Sequence, residues 1–223
     1  MPCRPKKLDD RRFSRGSGSV VARQAPQRVV AKYLELGVRA SQTLADDRIA
    51  VPGTMTTAYL LLKLLLLNFK FEVVPFDKIM DAVLNGEVDA GLLIHEGQIT
   101  HKKHGLRKIV DLGEWWQEDM NLPLPLGVNA VRSDLGQPAM RQISDLMRQS
   151  IEYALTHRDE AVAYAMKYGR GMDAGTTDKF IGMYVNKWTV EMGEDGRSAI
   201  SKLLTRGYHA ALLPRPVHLG FVE

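Results

Sequence analysis

The sequence contains very little cysteine. Cys3 is the one cysteine among 223 residues, so an internal disulfide and a cysteine-rich zinc or iron–sulfur site are both excluded. Long hydrophobic runs are missing as well. The longest, residues 58–67, is interrupted by Lys63 and is far shorter than the roughly 20 residues of a membrane-spanning helix. With 45% hydrophobic and 25% charged residues, the composition is that of a globular protein, not a collagen-like or disordered one.

The body of the chain has no excess of positive charge. The formal net charge is +4, but residues 1–28 hold eight Lys and Arg against two Asp, which leaves 22 basic and 24 acidic residues elsewhere. The high isoelectric point therefore belongs to a short basic leader, and the lack of a basic stripe in the body argues against a nucleic-acid partner. Because residues 1–18 contain no apolar core, the sequence predicts no secretory signal, no membrane partner and a cytoplasmic location.

Residues 49–94 alternate between β-rich runs and helical patterns. Strands are predicted at 49–51, 69–75 and 88–94, with helices at 55–67 and 76–84 between them. This alternation is typical of a parallel sheet with helices on its faces. Residues 28–32 and 128–132 are predicted as two further short strands. These strands are too few for two complete sheets.

The chain from residue 137 onward has a helical pattern. One apolar stripe at helical spacing comprises Met140, Ile143, Met147, Ile151 and Ala154. Further helices are predicted at 158–168, 176–187 and 197–207. Either these helices pack as a bundle, or some strands of a second lobe are missing from this chain.

A candidate anion site lies at the start of the helix predicted at 55–67. A Pro52-Gly53 turn leaves the preceding strand, and Thr54, Thr56 and Thr57 lie around the helix start. Free N–H groups and the positive end of the helix dipole attract a carboxylate or a phosphate there. The alternative is that Thr54 is only an N-cap. The Gly-Lys-Thr of a phosphate loop is absent, which disfavours a nucleoside triphosphate.

His95 is the candidate general base. It follows the strand predicted at 88–94, and open parallel sheets place their ligand sites at the carboxyl ends of strands. A histidine there, beside Glu96, could have the near-neutral pKa that a general base needs. The alternative is a histidine that only hydrogen-bonds its own loop. His101 and His104 form an H-x-x-H pair without an evident third ligand, so we expect no metal site.

Four longer segments, taken together and in order, carry a family resemblance. They are IAVPGTMTTAYLLLKL at 49–64, GEVDAGLLIHEGQIT at 86–100, VDLGEWWQEDMNLPLPLG at 110–127 and MYVNKWTVEMGEDGRSAI at 183–200. They resemble the 1,4-dihydroxy-6-naphthoate synthases, enzymes of the futalosine route to menaquinone. The similarity continues through AALLP at 210–214.

The resemblance implies both a fold and an activity. The fold is the α/β fold of type II periplasmic binding proteins, with two α/β lobes around a cleft. The activity is that of a cytoplasmic carbon–carbon lyase, which cleaves cyclic dehypoxanthine futalosine to 1,4-dihydroxy-6-naphthoate and dihydroxyacetone. The implied substrate is a small-molecule carboxylate, and no metal or organic cofactor is expected. A homodimer is one possible oligomeric state.

The resemblance also assigns roles to residues of this sequence. The histidine of the family's I-H-E-G-Q motif, its proposed proton acceptor, corresponds to His95. The Thr-Ala of the T-T-A-Y motif, which contacts ligand, corresponds to Thr57 and Ala58. We therefore predict that His95 is catalytic and that Thr56, Thr57 and Ala58 bind substrate.

The chain departs from the family at its N-terminal end. Family members have a longer first lobe, and their Gly-Tyr-Gly-Pro turn is replaced here by Ala25-Pro26-Gln27-Arg28. We expect a basic leader and remnant of the first lobe at 1–45, an α/β second lobe at 46–132, and C-terminal helices at 133–223 that return to an incomplete first lobe. The alternatives are a chorismate dehydratase-like enzyme of the same pathway, a non-catalytic small-anion-binding module, or an inactive fragment.

Overall fold

The computed structural model describes residues 18–23, 44, 47–168 and 171–222. Its strands are β1 (Ser19–Arg23), β2 (Arg48–Val51), β3 (Lys70–Val73), β4 (Ala90–Leu93) and β5 (Leu106–Asp111). Its α-helices are α1 (Thr57–Leu66), α2 (Ile79–Asn85), α3 (Gly97–Thr100), α4 (Leu112–Met120), α5 (Gln137–Thr156), α6 (Arg158–Met166), α7 (Ala174–Tyr184), α8 (Lys187–Val190) and α9 (Gly193–His209). Two 3₁₀ turns lie at His101–His104 and Ser133–Leu135.

The five strands form one sheet in the order β3-β2-β4-β1-β5. Strand β2 runs parallel to β3 and β4, with Ile49 opposite Phe71 on one side and Ala90 on the other. Strand β1 runs antiparallel to both β4 and β5, and Ser19 at its start lies opposite Leu93 and Asp111. The start of β1 therefore shares one edge of the sheet with the carboxyl ends of β4 and β5.

The alternating pattern of residues 49–94 is confirmed as β2-α1-β3-α2-β4, with the three strands parallel. The sheet extends beyond this parallel unit, because β1 is inserted antiparallel between β4 and β5. Neither β1 nor β5 was predicted. Strand β1 lies within the region predicted as the leader and first-lobe remnant, and it pairs with β4 and β5 of the region predicted as the second lobe.

The strand predicted at 128–132 is absent. These residues are irregular, the side chain of Val128 is 59% exposed, and they pair with none of the five described strands. The strand predicted at 28–32 lies outside the described residues. The four predicted C-terminal helices are confirmed as α5, α6, α7 and α9.

Helix α1 is buried against the sheet, as its leucine-rich sequence predicts. Its buried residues, Ala58, Leu61, Leu62 and Leu66, follow the i, i+3, i+4 spacing of a single helix face. They pack with Val20 of β1, Ile49 of β2 and Trp116 of α4 in the larger of two apolar clusters. Leu203 of α9 joins the same cluster, so the chain returns to this sheet near its C-terminal end.

Helix α2 covers the opposite face of the sheet. Ile79, Ala82 and Val83 pack with Val21, Leu93 and other side chains that alternate with those under α1. Helix α5, by contrast, buries only Met140 of its apolar stripe, while Ile143 and Met147 are 39% and 41% exposed. The return of residues 133–223 to a first lobe stays a prediction. Within the described residues, no helix has the length and apolar character needed to cross a membrane.

Candidate active site

His95 lies directly beyond β4, at the carboxyl end of the strand, where the sequence placed it. The residue is 9% exposed, and its ring lies 5.9 Å from the ring of Phe76. Its Nδ1 accepts a hydrogen bond from the backbone N–H of Gly97 at 2.9 Å. Gly97 permits this approach, because a Cβ there would lie 2.7 Å from His95 Cε1 and 2.5 Å from the sulfur of Met80.

This hydrogen bond determines where a neutral imidazole carries its proton. A neutral histidine has one nitrogen that donates and one that accepts. Since Nδ1 of His95 accepts from Gly97, the proton of the neutral ring resides on Nε2. The ring in this arrangement is a hydrogen-bond donor through Nε2.

Glu96 is the acidic neighbour of the His95 ring. Its Oε2 lies 3.6 Å from His95 Nδ1, and its side chain is 22% exposed. The backbone carbonyl of Glu96 accepts from the Thr100 hydroxyl at 3.2 Å, which helps to fix the short turn that follows.

Two cavities share His95 and Glu96 as part of their walls. One, of about 480 Å³, is lined by charged groups that include Asp77, Asp81, Lys103, His104 and Asp173. The other, of about 410 Å³, is mainly apolar and includes Phe76, Phe180 and Ile181. The pair thus lies between a polar space and an apolar space, a suitable arrangement for a ligand with both ring and oxygen-rich parts.

A buried hydrogen-bond network holds the loop that carries His95. Gln98 accepts from the Gly18 N–H at 3.2 Å and donates to the Tyr184 hydroxyl at 3.1 Å. Tyr184 in turn donates to the carbonyl of Ile94 at 3.1 Å. Burial raises the pKa of Tyr184, so the phenol keeps the proton that it donates. Sequence reasoning missed Gln98 and Tyr184, although both lie within the quoted family segments.

The start of α1 contains the second predicted site. The Thr56 hydroxyl accepts from the Tyr59 N–H at 3.1 Å and donates to the Gly53 carbonyl at 3.2 Å, so Thr56 rather than Thr54 is the N-cap. The backbone N–H groups of Thr57 and Ala58 have no acceptor among the described residues. Free N–H groups at a helix start are the kind of donor that an anion can accept from.

Gly18 connects the two predicted sites. Its backbone φ is +119°, a region that favours glycine, and a Cβ there would lie 3.2 Å from Cβ of Ala58. The same residue donates to Gln98, three positions beyond His95. The structure brings the helix start and the His95 loop to the same edge of the sheet through this contact. Thr56, Thr57 and Ala58 do not line either of the two cavities beside His95.

The other two histidines of the loop, His101 and His104, differ in burial. His101 is buried, with its Nδ1 donating to the Gln98 carbonyl at 3.0 Å, whereas His104 is exposed. In the part of the chain that the structure describes, no three His, Cys, Asp or Glu side chains are grouped to hold a metal ion.

Comparison with known proteins shows which family the chain belongs to. The family model described as "Menaquinone biosynthesis" matches residues 28–209. The chain belongs to this family. It is 40% identical over 187 residues to a 1,4-dihydroxy-6-naphthoate synthase of Streptomyces coelicolor, covering 81% of this chain and 66% of that protein. It is 38% identical over 212 residues to the enzyme of the same name from Thermus thermophilus, covering 93% of this chain and 75% of that one.

Solved structures confirm the fold class. A protein from Archaeoglobus fulgidus is 43% identical and superposes with a TM-score of 0.78, over 89% of this chain and 69% of that one. A periplasmic aliphatic sulphonate-binding protein from Escherichia coli matches with a TM-score of 0.56 at 13% identity, over 92% of this chain and 64% of that one. The latter shows the fold alone. This member of the menaquinone-biosynthesis family thus has the α/β fold of periplasmic binding proteins, as the resemblance implied.

Proposed function

We propose that this chain acts as a 1,4-dihydroxy-6-naphthoate synthase, a carbon–carbon lyase that cleaves cyclic dehypoxanthine futalosine to 1,4-dihydroxy-6-naphthoate and dihydroxyacetone. Two enzymes of that name are 38–40% identical to the chain. The observation that carries the proposal is His95, which lies largely buried at the carboxyl end of β4 beside Glu96, where two cavities meet. A cytoplasmic location and activity without a cofactor belong to the same proposal.

His95 is the proposed base. It removes the proton of a hydroxyl group on the sugar-derived part of the substrate. The oxygen electrons then form a carbonyl group, the adjacent carbon–carbon bond breaks, and its electron pair contributes to the aromatic ring of the product. A positioned general base contributes on the order of 10²- to 10⁴-fold to such a step, and aromatisation supplies the driving force.

The start of α1 is the proposed anchor for the substrate carboxylate. The N–H groups of Thr57 and Ala58 have no acceptor among the described residues, and the positive end of the helix dipole adds to their attraction for an anion. Thr56 supports the same site as the N-cap, because its hydroxyl is bonded to Gly53 and Tyr59.

The test is direct incubation of the purified 223-residue chain with cyclic dehypoxanthine futalosine, with the product followed by chromatography. We expect 1,4-dihydroxy-6-naphthoate from the wild type and a loss of at least about 100-fold in turnover for His95→Asn. The exposed His157→Asn serves as a matched control and should turn over at the wild-type rate. Wild-type-like turnover by His95→Asn would exclude His95 as the base. Ligand binding without product would instead support an anion-binding module.

A further inference from the structure

The hydrogen bond from Gly97 to His95 implies a neutral ring whose tautomer cannot act as a base. The backbone N–H of Gly97 occupies Nδ1, so the neutral ring carries its proton on Nε2. Neither nitrogen can then accept a proton from a substrate. For Nε2 to become a base, the ring proton must reside on Nδ1, and Nδ1–H needs an acceptor in place of the Gly97 donor.

We propose that Glu96 is that acceptor and therefore a positioning residue for His95. Its Oε2 lies 3.6 Å from Nδ1, beyond hydrogen-bond distance by well under one ångström. A small movement of the ring or of the half-buried carboxylate, together with loss of the Nε2 proton to solvent and uptake of a proton at Nδ1, replaces the Gly97 contact with an Nδ1–H···Oε2 hydrogen bond. This inference rests on the proposed function, in which His95 removes a proton.

The proton balance of the cycle is simple. In the resting state Nε2 holds the ring proton and Nδ1 accepts from Gly97. In the reactive state the ring proton is on Nδ1, whose N–H donates a hydrogen bond to Oε2 of Glu96, and the deprotonated Nε2 can accept a proton. Transfer of a hydroxyl proton to Nε2 leaves the electron pair on the substrate oxygen and creates an imidazolium. Glu96 stabilises this cation, since an ion pair replaces an isolated buried charge.

Other charged groups face the polar cavity beside His95. Their effect on the titration of His95 must be distinguished from the effect of Glu96. Asp77 and Asp81 approach from α2 and the turn before it, Lys103 and His104 from the 3₁₀ turn, and Asp173 from the N-cap of α7. Tyr184 also lies near, with its hydroxyl on the carbonyl of Ile94. Asp81→Asn removes one negative charge from the same cavity wall and is therefore the matched comparison for Glu96→Gln.

The experiment follows the imidazole directly. Chain labelled with ¹⁵N-histidine is titrated by NMR in the wild type, Glu96→Gln and Asp81→Asn, and the His95 signals are assigned by their loss in His95→Asn. The neutral wild-type ring should show the Nε2–H tautomer. We expect the titration midpoint of His95 to fall by about one pH unit in Glu96→Gln, and by less than half as much in Asp81→Asn.

Kinetics supply the second measurement. Glu96→Gln should lower kcat by about 10- to 100-fold with KM changed less than about threefold, and should move the acidic limb of the kcat profile to lower pH. An unchanged midpoint in Glu96→Gln, an equal shift in Asp81→Asn, or an unchanged kcat would each overturn the proposal. Because the titration needs no substrate, an inactive wild-type chain would contradict the proposed function, while the midpoints would still decide the role of Glu96.

Discussion

The side-chain oxygen Oε1 of Gln98 accepts a hydrogen bond from the backbone N–H of Gly18 at 3.2 Å, across 80 positions of the sequence. Gly18 immediately precedes β1, and Gln98 lies in α3, shortly after β4, so this contact joins the two chain segments at the edge of the sheet that carries His95. The amide nitrogen of Gln98 continues the connection to Tyr184 of α7. The loop of His95 is therefore held from two sides, by the residue that precedes β1 and by α7.

The hydroxyl of Tyr184 should contribute measurably to stability. Tyr184→Phe removes the donor to the Ile94 carbonyl and the acceptor for Gln98, which leaves two polar groups without a partner. We expect a loss of about 1–3 kcal/mol in the free energy of unfolding, measured by urea denaturation. Tyr153→Phe is the control, because that residue is 59% exposed. Equal stability of Tyr184→Phe and Tyr153→Phe would contradict the structural role of the network.

A methyl group at Gly97 should displace the His95 ring. Its Cβ would lie 2.7 Å from His95 Cε1 and 2.5 Å from the Met80 sulfur, so the ring has to move. Displacement of a catalytic group by about 1 Å can cost on the order of 100-fold in rate, and we expect Gly97→Ala to lose at least about 10-fold in kcat. Gly127→Ala, with nothing within 4 Å of its Cβ, should match the wild type. A fully active Gly97→Ala would show that the position of the ring is not critical.

The contribution of the Thr56 N-cap to stability should be measurable when its hydroxyl group is removed. Thr56→Ala removes the acceptor for the Tyr59 N–H and should lower the free energy of unfolding by about 1 kcal/mol. Thr56→Ser keeps the hydroxyl and should recover most of that loss. Thermal or urea unfolding of the two variants decides the point, and equal destabilisation by both would mean that the cap bond contributes little.

His101 should make stability depend on pH in a defined direction. Burial lowers the pKa of His101, although hydrogen bonds to the backbone of Gln98 and Gly97 partly oppose this effect. Its Nε2 is buried without a partner in the described part of the chain. The unfolded chain therefore takes up the proton first as the pH falls through about 6.5, and the free energy of unfolding decreases. Above that pH, His101 does not contribute to the pH dependence of the free energy of unfolding.

The check is a series of urea denaturations between pH 5 and pH 8. His101→Gln should show a smaller decrease in the free energy of unfolding below about pH 6.5 than the wild type does. A slope unchanged by His101→Gln would mean that His101 takes up its proton equally easily in the folded and the unfolded chain.

Local patterns predicted most of the elements from residue 49 onward. The apolar residues of α1 repeat at helical spacing, and the runs around β2 and β4 are short and β-rich, so about ten residues suffice to identify each element. Strand β1 has only five residues, Ser19–Arg23, inside a basic leader. Its place in the sheet depends on partners about 70 and 90 positions away, which no local window contains.

Some features of the candidate site can likewise be recognised from adjacent residues, and others depend on the fold. A histidine directly after a buried strand, and threonines at a helix start, can be recognised from adjacent residues, and the family segments name the same positions. The tautomer of His95 depends on the approach of Gly97, and the use of the Thr56 hydroxyl as a cap depends on the geometry of the turn at Gly53. Neither follows from spacing, because both are decided by distances of a few tenths of an ångström.

Local patterns and the family segments are enough to identify the family, the parallel β2-α1-β3-α2-β4 unit and the helical character of residues 137–209, and they point to His95, Thr57 and Ala58 as candidate site residues. The antiparallel place of β1 between β4 and β5, the contacts of Gly18 with Gln98 and Ala58, and the support of Tyr184 for the end of β4 become visible in the folded chain alone. Helical and strand periodicity is encoded among near neighbours, whereas these contacts form when segments about 40 to 90 residues apart pack together.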